Sequence, residues 1–390
     1  MSMHTRVLSL TVLALASLGS ISAFQQTEPA AQGALREQLQ AKFVELHKAG
    51  AFPGGTAGFV LADGTSIGIA VGLSDRTAGT PMKATDRLLL GSVGKTYVSA
   101  VALQMIHEKK LSLDDTLERF FASEPWFPRI ANASAISVRH LMSHTSGLVR
   151  YEFNPRFTDD LSANPDKVWT GADRLSYLFD AKPPFAPGEG WEYSDTNYIV
   201  LGMIIEQVSK NTYYEELRTR VLRRFGLNDT VPADSRTVPG LVQGYAGAKN
   251  PFGGSDEMIR EGRFAVNPQF EWTGGGLAVT ALDLAKWGKI LYEGKAFHPS
   301  LMKPFLDGVP AKLGPETKYG LGVIIRPTPL GITYGHSGFM PGYQTELFYF
   351  PVMKTAIAVQ VNSSVPRSTG KALRAFVIDF ATIIREAQGK

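Results

Sequence analysis

The sequence predicts an α+β fold, in which an antiparallel sheet is flanked by the N- and C-terminal helices and a helical region is inserted between the strands. Three observations support this prediction. Segments with strand character lie near both ends of the chain, the middle of the chain is mostly helical, and hairpin-length connections dominate without a regular β-α-β alternation. With 390 residues, 44% hydrophobic and 19% charged, the composition fits a globular protein.

Residues 1–23 are typical of a secretory signal peptide. His4 and Arg6 precede an apolar stretch from Val7 to Leu18 that is too short for a membrane span, and Ser22-Ala23 supplies small residues for cleavage. We therefore expect a periplasmic or secreted protein without a stable membrane span after cleavage, with an uncleaved anchor as the alternative. Because the sequence contains no cysteine, disulfides and thiolate metal sites are excluded, and stability must come from the hydrophobic core.

The remaining chain, residues 24–390, is predicted to form one catalytic domain. Its sheet part covers about 33–96 and 275–390, and its mainly helical part covers about 97–274. Helices are predicted from hydrophobic spacing and from capping or stop residues, and strands from apolar or alternating runs bounded by turn residues. The predicted helices are Ala34–Lys48, the segment after Ser92, Val138–Met142, Asp195–Ser209, Tyr213–Phe225, Asp283–Leu291 and about Gly370–Arg385. The predicted strands are Thr56–Leu61, Ser66–Val71, Gly320–Arg326, Gly331–Tyr334, Tyr343–Tyr349 and Thr355–Val361.

The charge pattern argues against a nucleic-acid partner. The net charge of +4 is small for this length, and no run of lysine and arginine is long enough to follow a phosphate backbone. We expect a small-molecule or peptide substrate and no cofactor or metal. The sequence leaves the oligomeric state open.

The chemistry is indicated first by Ser92 and Lys95, which stand three residues apart at the start of a predicted helix. A serine hydroxyl needs a neighbouring base to act as a nucleophile, and side chains at this helical spacing lie on one face, about 5–6 Å apart at Cβ. The same spacing occurs in Ser300–Lys303 and Ser368–Lys371. Only Ser92 is followed by a strongly apolar helical run, so it is the preferred candidate of the three, with an ordinary helix-capping serine as the alternative at this point.

Further segments in a fixed order make the pattern specific. They are His144-Thr145-Ser146-Gly147, Tyr193-Ser194-Asp195, Gly275-Gly276-Leu277 and His336-Ser337-Gly338. Together with Ser92-x-x-Lys95, these segments resemble the serine β-lactamase and D-alanyl-D-alanine carboxypeptidase superfamily. The similarity is greatest to the branch that holds class C β-lactamases, D-aminopeptidases and class VIII esterases, and it implies a β-lactamase/transpeptidase-like fold.

The resemblance implies a role for each matching position. Ser92 would be the acyl-accepting nucleophile, Lys95 its base or proton relay, and Tyr193 the group that shuttles the proton to the leaving group. His336-Ser337-Gly338 would form the third motif beside the substrate. The backbone N–H groups of Ser92 and Phe339 would form the oxyanion hole.

Two positions depart from the family pattern. Asp195 stands where the second motif ends in asparagine, and an ionised carboxylate can only accept hydrogen bonds. We therefore expect Asp195 to favour the ammonium form of Lys95 and to shift the role of base toward Tyr193. His336 replaces a lysine of the third motif, which predicts a charge that depends on pH and weak hydrolysis of β-lactams.

Alternatives remain open at this stage. His140 and His144 have a spacing that can bind metal, although His144 is more typical of a helix end. The function expected from the resemblance is hydrolysis of D-amino-acid peptides or amides through a Ser92 acyl-enzyme. The alternatives are a small-ester esterase of the same fold and a penicillin-binding sensor with little turnover.

Overall fold

The computed structural model describes residues 30–389, so the predicted signal peptide, residues 1–23, lies outside the described residues. The helices are α1 (Ala30–Ala49), α2 (Lys95–His107), α3 (Leu117–Phe121), α4 (Val138–Ser143), α5 (Pro155–Ala163), α6 (Gly171–Leu175), α7 (Asp195–Ser209), α8 (Tyr213–Leu217), α9 (Arg223–Phe225), α10 (Ala281–Tyr292), α11 (Met302–Leu306) and α12 (Leu373–Ala387). The strands are β1 (Gly54–Val60), β2 (Ser66–Asp75), β3 (Thr80–Pro81), β4 (Leu88–Leu89), β5 (Thr230–Pro232), β6 (Ile259–Arg260), β7 (Arg263–Phe264), β8 (Leu277–Val279), β9 (Val309–Pro310), β10 (Lys318–Tyr319), β11 (Ile324–Thr328), β12 (Gly331–Met340), β13 (Tyr343–Phe350) and β14 (Thr355–Val361).

Strands from both ends of the chain form one antiparallel sheet, in the order β3-β2-β1-β14-β13-β12-β11-β10-β9. The N-terminal hairpin of β1 and β2 joins the C-terminal strands through β1 and β14, where Gly55 pairs with Val361. The predicted fold class is therefore confirmed: a mixed fold with a sheet built from both termini and helices inserted between them.

The terminal helices cover the outer face of this sheet, as the sequence predicted. Phe43 of α1 and Phe59 of β1 both contact Phe380 of α12 in edge-on geometry, with ring centroids 5.6 and 5.2 Å apart. These rings belong to a buried apolar cluster of α1, α12 and the outward-facing strand residues. Burial of such side chains stabilises a fold by about 1.5–3 kcal/mol each, which fixes both chain ends on the sheet.

The inner face packs on α10, α2 and the helical region. Gly58 of β1 allows α10 to lie directly on the sheet, because a Cβ atom at this position would come within 2.2 Å of the Ala281 carbonyl oxygen. Helix α2 is buried along most of its length and contacts α7. The inner face is therefore where the predicted motifs can meet.

Several boundaries differ from the sequence prediction. Residues 91–94 form a turn of 3₁₀-helix before α2 begins at Lys95. The predicted strand Gly331–Tyr334 continues to Met340. Gly335 and Gly338 lie inside this strand instead of ending it, and they permit close approach of the Leu347 and Leu90 backbones. The predicted helix from Tyr213 to Phe225 contains a π-helical segment at 218–222.

Among residues 30–389, no helix has the length and apolar character needed to cross a lipid bilayer.

Candidate active site

Ser92 lies where three backbone segments meet at the inner face. Gly91 adopts a φ of +52°, and a Cβ atom there would lie 2.5 Å from the Phe339 carbonyl oxygen on β12. A Cβ atom on Gly275 would lie 2.3 Å from the Gly91 carbonyl oxygen and 2.9 Å from the Ser92 backbone nitrogen. Only glycine fits at these contacts, so Gly91 and Gly275 hold Ser92 between β12 and the segment before β8.

Lys95 is fully buried behind Ser92 and its ammonium group has three acceptors. Lys95 Nζ donates to Ser92 Oγ at 3.0 Å and to the Gly274 carbonyl oxygen at 2.6 Å. It also forms an ion pair with Asp195 Oδ1. The predicted pair of serine and lysine is thus in direct contact, and the glycine run before β8 supplies a further acceptor.

The competing serines have other partners. Ser300 Oγ lies 2.8 Å from His298 Nδ1, and Ser368 Oγ lies 3.1 Å from Ser363 Oγ. The lysines three residues later, Lys303 and Lys371, pair with the acidic side chains of Asp307 and Asp379. Neither serine has the lysine contact that distinguishes Ser92.

Tyr193 lies just before α7 and stands over the same ammonium group. Lys95 Nζ is 5.0 Å from the centroid of its ring. Its hydroxyl is buried and makes no hydrogen bond of standard geometry with residues 30–389. Burial raises the pKa of Tyr193 well above its usual value, the Asp195 carboxylate adds to this shift, and the neighbouring Ser92 side chain acts in the opposite direction. The phenol is therefore held in its protonated form.

Asp195 is the first residue of α7 and lies between two cations. Its Oδ1 atom pairs with Lys95, and its Oδ2 atom accepts a hydrogen bond from Arg150 Nη2 at 2.8 Å. Burial alone would raise the pKa of Asp195, but Lys95 and Arg150 outweigh this effect and hold it below the usual range. The contact expected between Asp195 and Lys95 is present, whereas Arg150 had no signal in the sequence.

His336 does not have the pH-dependent charge that the sequence suggested. Its side chain is 2% exposed, and both ring nitrogens are engaged, Nε2 with Tyr319 Oη at 2.9 Å and Nδ1 with the Ser337 carbonyl oxygen at 2.7 Å. Because a carbonyl can only accept, Nδ1 carries the proton and Nε2 accepts. Burial lowers the pKa of His336 to about 3, with the Lys95 charge contributing. The histidine is neutral and lies behind Tyr193, with ring centroids 6.2 Å apart.

The other residues of the third motif face different directions. Gly338 lies against the turn that carries Ser92, because a Cβ atom there would come within 2.0 Å of the Leu90 carbonyl oxygen. Ser337 donates its hydroxyl proton to Glu346 Oε2 at 2.8 Å, on the outer face of the sheet, so its side chain does not reach Ser92. Phe339 is 59% exposed, and its backbone contacts Gly91, next to Ser92.

His144 is a structural neighbour of the site that sequence reasoning did not assign. It ends α4 with a φ of 61°, as the helix-end interpretation predicted. The Asn197 amide donates to its Nδ1 atom at 2.9 Å, and its ring centroid lies 4.2 Å from that of Tyr193. His140 turns away from it and accepts from the Ser137 backbone N–H, within a capping interaction of α4. The two histidines therefore support separate local structures.

Comparison with known proteins places this arrangement in a family. The family model described as Beta-lactamase matches residues 39–381. The chain belongs to the beta-lactamase family. This family includes serine hydrolases, so the prediction of a serine hydrolase of this kind is confirmed at the level of the family.

The alignments with individual relatives cover different shares of this chain and of each relative. Penicillin-binding protein 4* of Bacillus subtilis is 27% identical over 299 residues, which cover 73% of this chain and 63% of that protein. A D-aminopeptidase of Brucella anthropi is 24% identical over 76% of this chain and 54% of its own length. Esterase EstB of Burkholderia gladioli is 27% identical over 70% of this chain and 78% of its own length. The chain thus spans less than two thirds of the first two of these relatives.

A solved structure shows the same fold. The D-amino acid amidase of Ochrobactrum anthropi SV3, complexed with D-phenylalanine, superposes with a TM-score of 0.77 at 21% identity. The superposition covers 92% of this chain and all of the amidase. At this identity the likeness establishes the fold, and the substrate is a separate question.

Proposed function

We propose that this protein is an exported serine hydrolase, periplasmic or secreted, that acts through a Ser92 acyl-enzyme on amides or peptides of D-amino acids. The observation that carries the proposal is the 3.0 Å contact between Lys95 Nζ and Ser92 Oγ at the junction of β12 and α2. Acyl transfer requires a nucleophile, a proton acceptor and donors aimed at the developing oxyanion, and the surrounding residues offer each of these.

The proton transfers follow from the positions of Lys95 and Tyr193. In the reactive state a neutral Lys95 takes the proton from Ser92 while Ser92 Oγ bonds to the substrate carbonyl carbon. The Tyr193 phenol, whose pKa is raised by burial, serves as the proton donor to the leaving group rather than as a phenolate base. This assignment reverses the preference for Tyr193 as base that Asp195 suggested in the sequence. Water then attacks the acyl-enzyme. Its proton passes to the Tyr193 oxygen, which gave its own proton to the leaving group, and Lys95 returns to Ser92 Oγ the proton that it took, so all three groups end as they began.

The oxyanion hole is proposed at the backbone N–H groups of Ser92 and Phe339. The close approach of the Gly91 and Phe339 backbones supports it, because Ser92 directly follows Gly91 in the chain. Removal of one such donor typically costs about 10²–10³-fold in kcat.

The substrate class is supported by the relatives and by His336. A D-amino acid amidase and a D-aminopeptidase are among the similar proteins. A neutral, buried His336 supplies no positive charge for a substrate carboxylate, which disfavours β-lactams and favours substrates that are neutral around the scissile bond. A small-ester esterase is the second candidate, because 78% of esterase EstB is covered by this chain.

Labelling with a fluorophosphonate probe tests the nucleophile. The unaltered protein should gain one probe adduct by intact mass, and Ser92→Ala should gain none. Ser300→Ala and Ser368→Ala are matched controls, because their serines have the same spacing to a lysine, and both should react like the unaltered protein. An adduct on Ser92→Ala, or its loss in either control, would overturn the assignment.

A substrate panel then tests the substrate class. D-Alanine p-nitroanilide, an acylated D-Ala-D-Ala peptide, a p-nitrophenyl ester and a chromogenic cephalosporin should be compared by kcat/KM. We expect the D-alanine anilide, whose leaving group is uncharged, to be the best substrate. The peptide, whose leaving D-alanine carries a carboxylate, should be slower, and the cephalosporin should be the poorest. A much larger kcat/KM for the short ester would favour the esterase, and stable acylation by the cephalosporin without turnover would favour a penicillin-binding sensor.

A further inference from the structure

We propose that Arg150 is a positioning residue of this active site, and that its guanidinium and the Asp195 carboxylate act together in place of the amide usual at the end of the second motif. This inference rests on the proposed Ser92 chemistry and adds a residue outside the motifs to it.

The two oxygens of Asp195 divide its interactions. Oδ1 pairs with Lys95, and Oδ2 accepts from Arg150 Nη2 at 2.8 Å. An amide offers one acceptor oxygen and one NH2 donor group. Here the acceptor toward Lys95 is Oδ1, and the oxygen that stands in place of the NH2 group, Oδ2, is satisfied by the guanidinium of Arg150. The charge of the guanidinium offsets that of the carboxylate, so the pair presents Lys95 with little net charge.

The geometry of Arg150 is fixed by the same helix that carries Asp195. The Val149 carbonyl oxygen accepts hydrogen bonds from the hydroxyls of Ser194 and Thr196, at 3.2 and 2.7 Å. The Tyr151 backbone N–H donates to Thr196 Oγ1 at 3.2 Å. The segment on both sides of Arg150 is therefore tied to the first turn of α7, which sets the register between the guanidinium and Asp195.

Three contacts hold the guanidinium itself. Arg150 Nε donates to Glu152 Oε1 at 2.6 Å, and Cζ lies 4.0 Å from the centroid of the Phe153 ring. It also lies 5.5 Å from the centroid of the Tyr193 ring. Its side chain is 27% exposed, whereas those of Lys95 and Asp195 are 0% and 8% exposed. Arg150, Asp195 and Lys95 thus form two successive ion pairs, in which Arg150 lies nearest the solvent and Lys95 is the most deeply buried.

Among the three carboxylates near Arg150 and Lys95, Asp195 is the one that stays ionised, so its negative charge is the one that Arg150 offsets. Burial raises the pKa of Glu271 to about 7 and that of Glu152 well above its usual value, with Asp195 contributing to both shifts. Both acids are therefore easily protonated near neutral pH, while Asp195 stays ionised. The titratable or charged groups that face the pair are Lys95, His144, Tyr151, Glu152, Tyr193, Glu271, Tyr319 and His336.

A double-mutant cycle on fluorophosphonate labelling tests the proposal without knowledge of the substrate. Arg150→Gln leaves a lone carboxylate beside Lys95 and should lower the maximal labelling rate at least about tenfold, with little change in the half-saturating probe concentration. Its labelling should also require a higher pH, because the lone carboxylate stabilises the ammonium form of Lys95. The double variant Arg150→Gln/Asp195→Asn restores a neutral site and should return to within about threefold of the unaltered protein, a strongly non-additive result.

A surface pair supplies the matched control. Arg129 and Asp180 form an ion pair at the protein surface, with side chains 51% and 67% exposed. Arg129→Gln, Asp180→Asn and the double variant should all be labelled at the unaltered rate. Thermal denaturation of every variant shows whether a lower labelling rate results from loss of the folded structure.

The outcomes distinguish this inference from the proposed function. If the unaltered protein is not labelled at Ser92, the proposed function fails and this inference fails with it. If it is labelled, the inference alone is overturned by any of three results: Arg150→Gln reacts at the unaltered rate, its pH profile does not move, or the double variant loses the sum of the two single losses.

Discussion

Replacement of Gly338 by alanine should slow the reaction of Ser92 by about 10²-fold while the protein stays folded. A Cβ atom at residue 338 would lie 2.0 Å from the Leu90 carbonyl oxygen, whereas ordinary contact begins at 3.4 Å. Strand β12 and the Ser92 turn must therefore separate by about 1.4 Å, the difference between these distances. Because a misplacement of about 1 Å costs roughly 10²-fold in rate, the barrier should rise by about 2.7 kcal/mol.

The assay is the second-order rate constant for fluorophosphonate labelling, with kcat/KM on the best substrate measured beside it. Gly58→Ala is the matched control, because its Cβ atom would meet a carbonyl oxygen at 2.2 Å in the same sheet, three strands from β12. Overpacking should lower the stability of both variants by about 1–3 kcal/mol, but only Gly338→Ala should react slowly. Equal rates for the two variants, or a Gly338→Ala rate within threefold of the unaltered protein, would refute the view that β12 sets the geometry at Ser92.

Two further predictions concern buried titratable groups. Because the pKa of His336 falls from about 6.5 in the unfolded chain to about 3 in the fold, the unfolded state binds more protons between these values and stability declines as the pH falls. Between pH 7 and pH 5, the melting temperature of His336→Gln should therefore fall less than that of the unaltered protein. An equal fall would show that His336 is not buried in its neutral form. Burial raises the pKa of Glu346 to about 7, so its ionisation destabilises the fold as the pH rises through that value. Glu346→Gln should gain urea resistance relative to the unaltered protein at pH 8 but not at pH 5, and a gain that does not depend on pH would contradict this account.

Prediction from the sequence was most accurate for elements that are determined by their local hydrophobic pattern. The apolar run Thr355–Val361 predicted the central strand β14 with its observed bounds, and hydrophobic spacing predicted the N-terminal helix, which packs on the sheet. Ser92 and Lys95 were found because their contact is local, three residues apart. The limits of a single domain over residues 24–390 stay a prediction.

The rest of the site depends on contacts between distant segments. Arg150 meets Asp195 across 45 residues, and Tyr319 meets His336 through the pairing of short strands that carry no strong periodicity. The direction of the Ser337 side chain, in contrast, can be predicted from the strand alone. Because successive side chains of a strand face opposite sides, Ser337 must point away from the face that holds His336 and Gly338, as its contact with Glu346 shows.

Asp195 and His336, the two departures from the family motifs, together change where the charged side chains lie around Ser92. Where the family has an amide, this chain has Asp195, and the negative charge is offset by Arg150 from a neighbouring loop. Where the family has a lysine on the strand, this chain has a buried histidine held neutral by burial and by two hydrogen bonds. The positive side chain near the site is thus Arg150, in the loop before Tyr151, instead of a lysine on β12, and its guanidinium lies 5.5 Å from the centroid of the Tyr193 ring. A substrate carboxylate next to β12 would find no positive charge at His336, which is neutral and buried behind Tyr193, whereas a neutral amide loses nothing there. This distribution of charge supports amide or ester substrates over the anionic β-lactams for which a third-motif lysine is suited.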